Sequence, residues 1–317
     1  MTLIGHEAPR SAWQSALSSE RMHHAWLLAG KAGLGKMRFA LEAARELVGA
    51  ATSQAEHPDI VLLTYGAKDD KEDRKRADGK PFELARSIRI DQVRAMQRKL
   101  NTRPSMGERR AVIIDPADDM ERNAANALLK SLEEPPVGTT FLLVSHRPAK
   151  LLPTIRSRCR LLRFPALADS QVEALLAEKA PSVDVEARWA AVRAGAGSPG
   201  AALAFIDQDL GPLASLIGQI LREGDPSFVL RGKLAGAIGS RPDRERLRAT
   251  LELARAALAD DIEQCPRTAL PERIAAHDAL VRLTGEMPTY NYDPGLMVME
   301  VGTLLARAGA ASERADG

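Results

Sequence analysis

The sequence predicts an α/β domain built on a parallel sheet, followed by a region that is all helix. Three observations carry this. In the first half, short apolar runs alternate with stretches whose apolar residues recur every three to four positions. A glycine-rich turn ending in lysine sits between the first apolar run and the first such stretch, and beyond Pro165 the strand signals stop. The chain has 317 residues, room for roughly two domains of ordinary size or three compact ones.

In chain order, the apolar runs 25–29, 59–63, 111–114, 140–144 and 161–164 read as buried strands. Between them, 37–48, 91–100 and 121–134 read as amphipathic helices. Alternation of this kind gives a parallel sheet with helices on both faces. Segment 68–80 mixes both signs of charge without apolar periodicity and reads as a solvated loop. The second half carries helical periodicity cut by proline and glycine at Pro181, Gly211-Pro212, Gly224, Pro242, Pro266, Pro271 and Pro288. Three short helices are expected within 169–206 and about five longer ones up to 310. One of the longer set spans 243–263, with Leu247, Leu251, Ala254 and Leu258 along its apolar face. Ser198-Pro199 and Asp293-Pro294 each place a capping side chain before a proline at the first helical position, so helices should begin there. The tail 312–317 is expected to fray. The resulting division is 1–165, 166–208 and 209–317.

Composition narrows the function classes. Hydrophobic residues make up 45% and charged residues 27%, a globular balance. Lys plus Arg (44) nearly matches Asp plus Glu (42), so no global field draws the chain onto nucleic acid or anionic lipid. Aromatics are 4%, little material for stacking on single-stranded bases. Two cysteines, Cys159 and Cys265, exclude a multi-disulfide scaffold and a cysteine-rich zinc site, and a reducing, cytoplasmic setting fits. The N-terminus becomes polar within a few residues, and no run of about 18 apolar residues occurs, so neither export nor a membrane is expected.

The chemistry begins at Gly30-Lys-Ala-Gly-Leu-Gly-Lys36, after a predicted strand and at the opening of a predicted helix. That is the setting of a phosphate-binding loop: Gly30, Gly33 and Gly35 let backbone amides converge on phosphate oxygens, Lys36 adds charge, and the helix N-terminus adds its dipole. The bare pattern turns up by chance in roughly one chain in ten of this length, so the strand-to-helix setting decides. Met37 follows, where a working loop has the Ser or Thr hydroxyl that holds magnesium. Ala-Val-Ile-Ile-Asp115 ends a predicted strand, making Asp115 the candidate magnesium partner, yet Pro116 stands where a glutamate would orient water. The residues describe a degenerate nucleotide site, weak or empty, with slow turnover as the alternative.

At Asn123-Ala-Ala-Asn-Ala-Leu-Leu-Lys-Ser-Leu-Glu-Glu-Pro135 and Arg156-Ser-Arg-Cys-Arg160 the sequence resembles the bacterial clamp-loader branch of the AAA+ ATPases. The resemblance covers about 4–164 with strong motifs, including His57-Pro58-Asp59 and Ile90-Asp91-Gln92-Val93-Arg94, and extends more weakly through the helical half. It implies an AAA+ P-loop domain, then a small helical lid at 166–208 and an all-α collar at 209–317 for assembly. It also implies that Arg158 acts in trans as an arginine finger on ATP held by a neighbouring motor subunit, where a guanidinium's planar fork meets concentrated negative charge. Such a group contributes on the order of 1,000-fold in rate; the competing reading is an arginine paired with a carboxylate of its own fold. The partners implied are the motor (gamma/tau) and delta subunits, with the sliding clamp and primed DNA reached through the assembly.

Two departures from the family matter. The branch commonly carries four zinc cysteines before His-Pro-Asp, whereas 48–56 has none, so no zinc is expected. Active members place a nucleotide-sensing arginine after Gly-Ser-x in the lid, and here Gly197-Ser-Pro-Gly200 ends in glycine. The resemblance therefore implies a non-hydrolysing, stator-like subunit of the replicative polymerase assembly, against two rivals: an active motor ATPase and a pure scaffold. Of the remaining residues, Cys159 reads as a small buried hydrophobe and His23-His24 as local structure. Arg94, Arg98 and Lys99 read as a solvated face or, alternatively, as contacts to DNA phosphates. Glu133-Glu134 cannot face one another on a helix and read as terminating it before Pro135-Pro136, while Asn123 and Asn126 read as capping and packing residues.

Overall fold

The computed structural model describes residues 4–19, 22–50, 57–239, 242, 244–287 and 292–313. The chain divides into two compact units, Met1–Leu167 and Ala168–Gly317. In the first, α1 (Glu7–Leu17) precedes β1 (Ala25–Ala29), α2 (Lys36–Val48) and β2 (Ile60–Leu63). Then come α3 (Asp70–Ala77), α4 (Ile90–Leu100), β3 (Arg110–Ile114), α5 (Arg122–Glu133), β4 (Thr139–Ser145), the single turn α6 (Pro153–Arg156) and β5 (Arg160–Arg163).

All pairings are parallel, in the order β2-β3-β4-β1-β5. The three inner strands β1, β3 and β4 are buried at every residue. The order corrects the expectation of five buried strands: β2 and β5 are the edges, with Leu62 47% and Leu161 44% exposed, because an edge strand lacks a neighbour on one side. Successive side chains of an inner strand point to opposite faces. On one face Leu27, Val112, Ile114, Phe141 and Leu143 pack with Val93 and Met96 of α4 and Leu128 and Leu132 of α5. On the other, α2 lies against β1, β3 and β4, and Trp13 of α1 meets Trp26 edge-on at 5.5 Å.

Segment 68–80 is not a loop. Eight of its residues form α3, whose first amides are capped by Asp69 accepting from the Glu72 amide at 2.9 Å. Lys75–Glu72 and Arg76–Asp73 pairs span successive turns. Cap and i,i+3 pairs supply what apolar periodicity would have supplied, so a periodicity search passes over the helix. The sequence reading also omitted α1 and α6.

The second unit contains α7 (Asp169–Lys179), α8 (Val185–Gly195), α9 (Pro199–Asp207), α10 (Gly211–Glu223), α11 (Val229–Ile238), α12 (Arg244–Gln264), α13 (Leu270–Glu286) and α14 (Pro294–Glu313). Three short helices thus precede five others. Ser198 caps α9 through the Ala201 amide at 3.2 Å, and Asp293 accepts from the Leu296 amide at 3.0 Å at the start of α14. Leu247, Leu251, Ala254 and Leu258 of α12 are buried. No described helix is long and apolar enough to cross a membrane. Asp243, Pro288, most of the cysteine-free span 48–56 and the end of the tail expected to fray, 314–317, lie outside the described residues.

Candidate functional site

The sequence-predicted residues gather at two places in the first unit: the turn after β1 and the corner between α6 and β5. In the turn, Gly33 and Gly35 take φ of 78° and 79°, left-handed values that glycine adopts without penalty. Gly30 is required by close approach, since a Cβ there would lie 2.3 Å from the Phe164 carbonyl oxygen. Gly35 is the N-cap of α2 and offers no side chain to its first amides, which leaves the donors that make a helix start attractive to anions. His6 braces the turn, its ring 2.9 Å from the Leu34 carbonyl and edge-on to Phe164.

Lys36 is only 2% exposed. Its ammonium folds back onto the turn, donating to the Gly30 carbonyl at 2.7 Å and to the Lys31 carbonyl. Burial pushes its pKa down to about 8, with Asp115 and Asp118 pulling the other way. Asp115 stands just past β3, its amide donating to the Leu63 carbonyl at 3.0 Å. Burial pushes its carboxyl up to about 6; Lys36 opposes the shift and Asp118 adds to it. Asp115 Oδ1 is buried with no hydrogen-bond partner among the described residues. The turn therefore holds one buried cation, bonded to its own carbonyls, near a buried carboxyl whose pKa is raised. Magnesium takes oxygen ligands; Met37 offers a thioether and Pro116 no carboxylate, so these residues fit a magnesium nucleotide poorly.

A neighbouring network was missed by the sequence reading. Asp118 Oδ1 accepts from the His146 amide at 2.9 Å, and Asp119 accepts from Arg147 Nη2 at 3.0 Å and from the Tyr65 hydroxyl at 2.6 Å. These bonds tie together the segments that leave β2, β3 and β4. The available signal was the pair of acids three and four residues beyond Asp115.

At the second place, Arg158 lies between α6 and β5. Its Nη1 donates to the Thr154 carbonyl at 2.8 Å, and its Nη2 lies 2.7 Å from Glu133 Oε1. The two side chains are 34% and 50% exposed, so the pair sits at the surface. Glu133 is the last residue of α5 and Glu134 its C-cap. Beyond ending the helix, Glu133 has a partner that the sequence reading did not give it. In the single chain Arg158 thus makes the in-fold carboxylate pairing that is the alternative to a role in trans, and its other partners among the described residues are Thr154 and Ser157.

The other singled-out residues fall as follows. Burial pushes the Cys159 thiol up to about 12 and its side chain packs on the core. His23 and His24 stack at 4.7 Å, with His24 Nε2 2.9 Å from the Leu132 carbonyl. Asn123 and Asn126 are exposed on α5, which corrects their reading as packing residues; the structure gives them no chemical task. Arg94, Arg98 and Lys99 are exposed on α4, Arg94 lying 3.8 Å from Asp91. Gly200 sits in the first turn of α9.

A family model described as DNA polymerase III, delta subunit matches residues 5–168, just over half the chain. The DNA polymerase III subunit delta' of Pseudomonas aeruginosa is 38% identical over 196 residues, covering 59% of this chain and 58% of that protein. Its counterpart in Escherichia coli is 38% identical over 141 residues, covering 44% and 42%. DNA polymerase III subunit tau of Escherichia coli is 31% identical over 225 residues, covering 69% and 33%. The chain spans about half the length of the delta' relatives it matches. A crystal structure of a DNA polymerase III gamma subunit-related protein from Thermotoga maritima aligns over 95% of this chain and 99% of its own, with a TM-score of 0.51 and 17% identity, a likeness of fold alone.

Proposed function

We infer the function from one premise: the chain belongs to the DNA polymerase III, delta subunit family. On that premise it is a stator-like, non-hydrolysing subunit of a clamp loader. It extends Arg158 to ATP bound by an adjacent motor subunit of the gamma/tau kind, so that hydrolysis there is coupled to release of the sliding clamp on primed DNA. The helical residues 209–317 form the collar that binds the motor and delta subunits, 166–208 serve as the lid, and the chain carries no zinc. It does not turn over ATP by itself, and belongs to the enzyme only as part of the polymerase holoenzyme.

The observation that supports this most directly is the setting of Arg158. A surface guanidinium held by one exposed carboxylate and one carbonyl still has N–H donors to offer from the surface, since it carries five. A phosphate under attack draws those donors, because negative charge concentrates there. Meanwhile Lys36 is spent on its own turn, and Met37, Pro116 and Gly200 replace three groups that turnover needs.

The test is reconstitution of the loader from this chain, motor and delta subunits with Arg158→Ala. The expected outcome is normal assembly with DNA-dependent ATPase lowered on the order of 1,000-fold at the site served. Unchanged hydrolysis with normal assembly leaves the scaffold reading. The chain alone, with magnesium and ATP, is expected to show no turnover; brisk turnover abolished by Lys36→Ala makes it a motor.

A further inference from the structure

We propose that Glu133 is a positioning residue for Arg158, holding the guanidinium in a fixed plane for the phosphate of a neighbouring subunit. The proposal rests on the trans role of Arg158 inferred above and adds a second residue to it. Three facts combine. Glu133 Oε1 lies 2.7 Å from Nη2, while Thr154 O takes Nη1 at 2.8 Å and Ser157 Oγ lies 3.4 Å from the same nitrogen. A guanidinium is planar with five N–H donors, so the ion pair at Nη2 and the carbonyl bond at Nη1 hold it from both ends and leave Nε–H unspent. Both ends of the pair are mounted on stiff backbone: Glu133 stands just before Pro135-Pro136, and Arg158 follows α6, which starts at Pro153.

The placement of Glu133 is otherwise hard to explain. A helix C-terminus carries partial negative charge, and a carboxylate in its last turn is disfavoured there. Lys130 is the sole basic residue in that turn of α5, whereas the cation that meets Glu133 comes from a segment 25 positions along the chain. A plain surface ion pair would leave the arginine one charge-assisted anchor. Here the second anchor is a backbone carbonyl, which cannot swing away with a side chain. Fixing the fork before the phosphate arrives reduces the orientation lost on reaction, the usual gain from a held catalytic group.

The experiment is steady-state DNA-dependent ATPase of the reconstituted loader carrying Glu133→Ala, Glu133→Gln or Arg158→Ala, with assembly checked by gel filtration. Glu133→Ala is expected to lower kcat about fivefold to tenfold with KM for ATP within about twofold, the pattern of a lost transition-state orientation. Glu133→Gln keeps an acceptor oxygen and is expected to recover most of that loss, which a pure charge effect would not do, while the gel-filtration check reports any folding effect. If Glu133→Ala matches wild type while Arg158→Ala is strongly reduced, Glu133 is no positioning residue and the finger stands alone. A faster Glu133→Ala enzyme also overturns the proposal, since the carboxylate would then be holding Arg158 back. If neither alanine variant changes hydrolysis, the trans role itself falls, and this inference with it.

Discussion

Asp115 is the residue whose surroundings make the sharpest prediction. Its carboxyl is pushed up to about 6 in the folded chain, against about 3.9 when unfolded. Between those values the folded state binds more protons, so this group's contribution to stability is full below about pH 4 and is lost as pH rises through about 6. Urea midpoints of wild type and Asp115→Asn, measured from pH 4.5 to 7, are expected to diverge in favour of the variant as pH rises. Parallel curves would mean that the carboxyl titrates normally. The cause is burial, which Lys36 only partly offsets and to which the neighbouring Asp118 adds.

At the scale of elements, the exit from α4 into β3 is held by two buried charges. Asp59 accepts from the Ser105 and Met106 amides at 2.6 Å and 2.8 Å and lies 3.5 Å from Arg110. Arg110 in turn donates to the Lys99, Thr102 and Arg103 carbonyls at 2.9, 3.0 and 2.8 Å, closing the C-terminal end of α4. Burial would raise the Asp59 carboxyl, but the two amides and Arg110 outweigh it and hold it below the usual carboxylate range. Asp59→Ala strands a buried guanidinium and two amides, and is expected to cost about 3–5 kcal/mol in urea unfolding. A loss below about 1 kcal/mol would show that water replaces the carboxylate there. His57-Pro58-Asp59 was legible as a family motif, but its task was not, because the bonded amides lie 46 and 47 positions away.

For the whole molecule, the division at Leu167 gives each unit its own core. Residues 168–317 expressed alone are expected to give a helical circular dichroism spectrum and one cooperative urea transition, with a slope of about 1–3 kcal/mol/M. A sloping, non-cooperative curve would show that the helices depend on the first unit. The sequence by itself determined the alternation of strands and helices, the glycine turn, the residue types at Met37, Pro116 and Gly200, and the motif around Arg158. Those properties are local, written in periodicity, capping and residue type within a few positions. The tertiary structure decided which strands are edges, that 70–77 coil into a capped helix, that Lys36 closes on its own turn, and that Glu133 meets Arg158. Each of these depends on which distant segments the sheet order and the helix packing bring within hydrogen-bond reach, and spacing along a chain does not encode that distance.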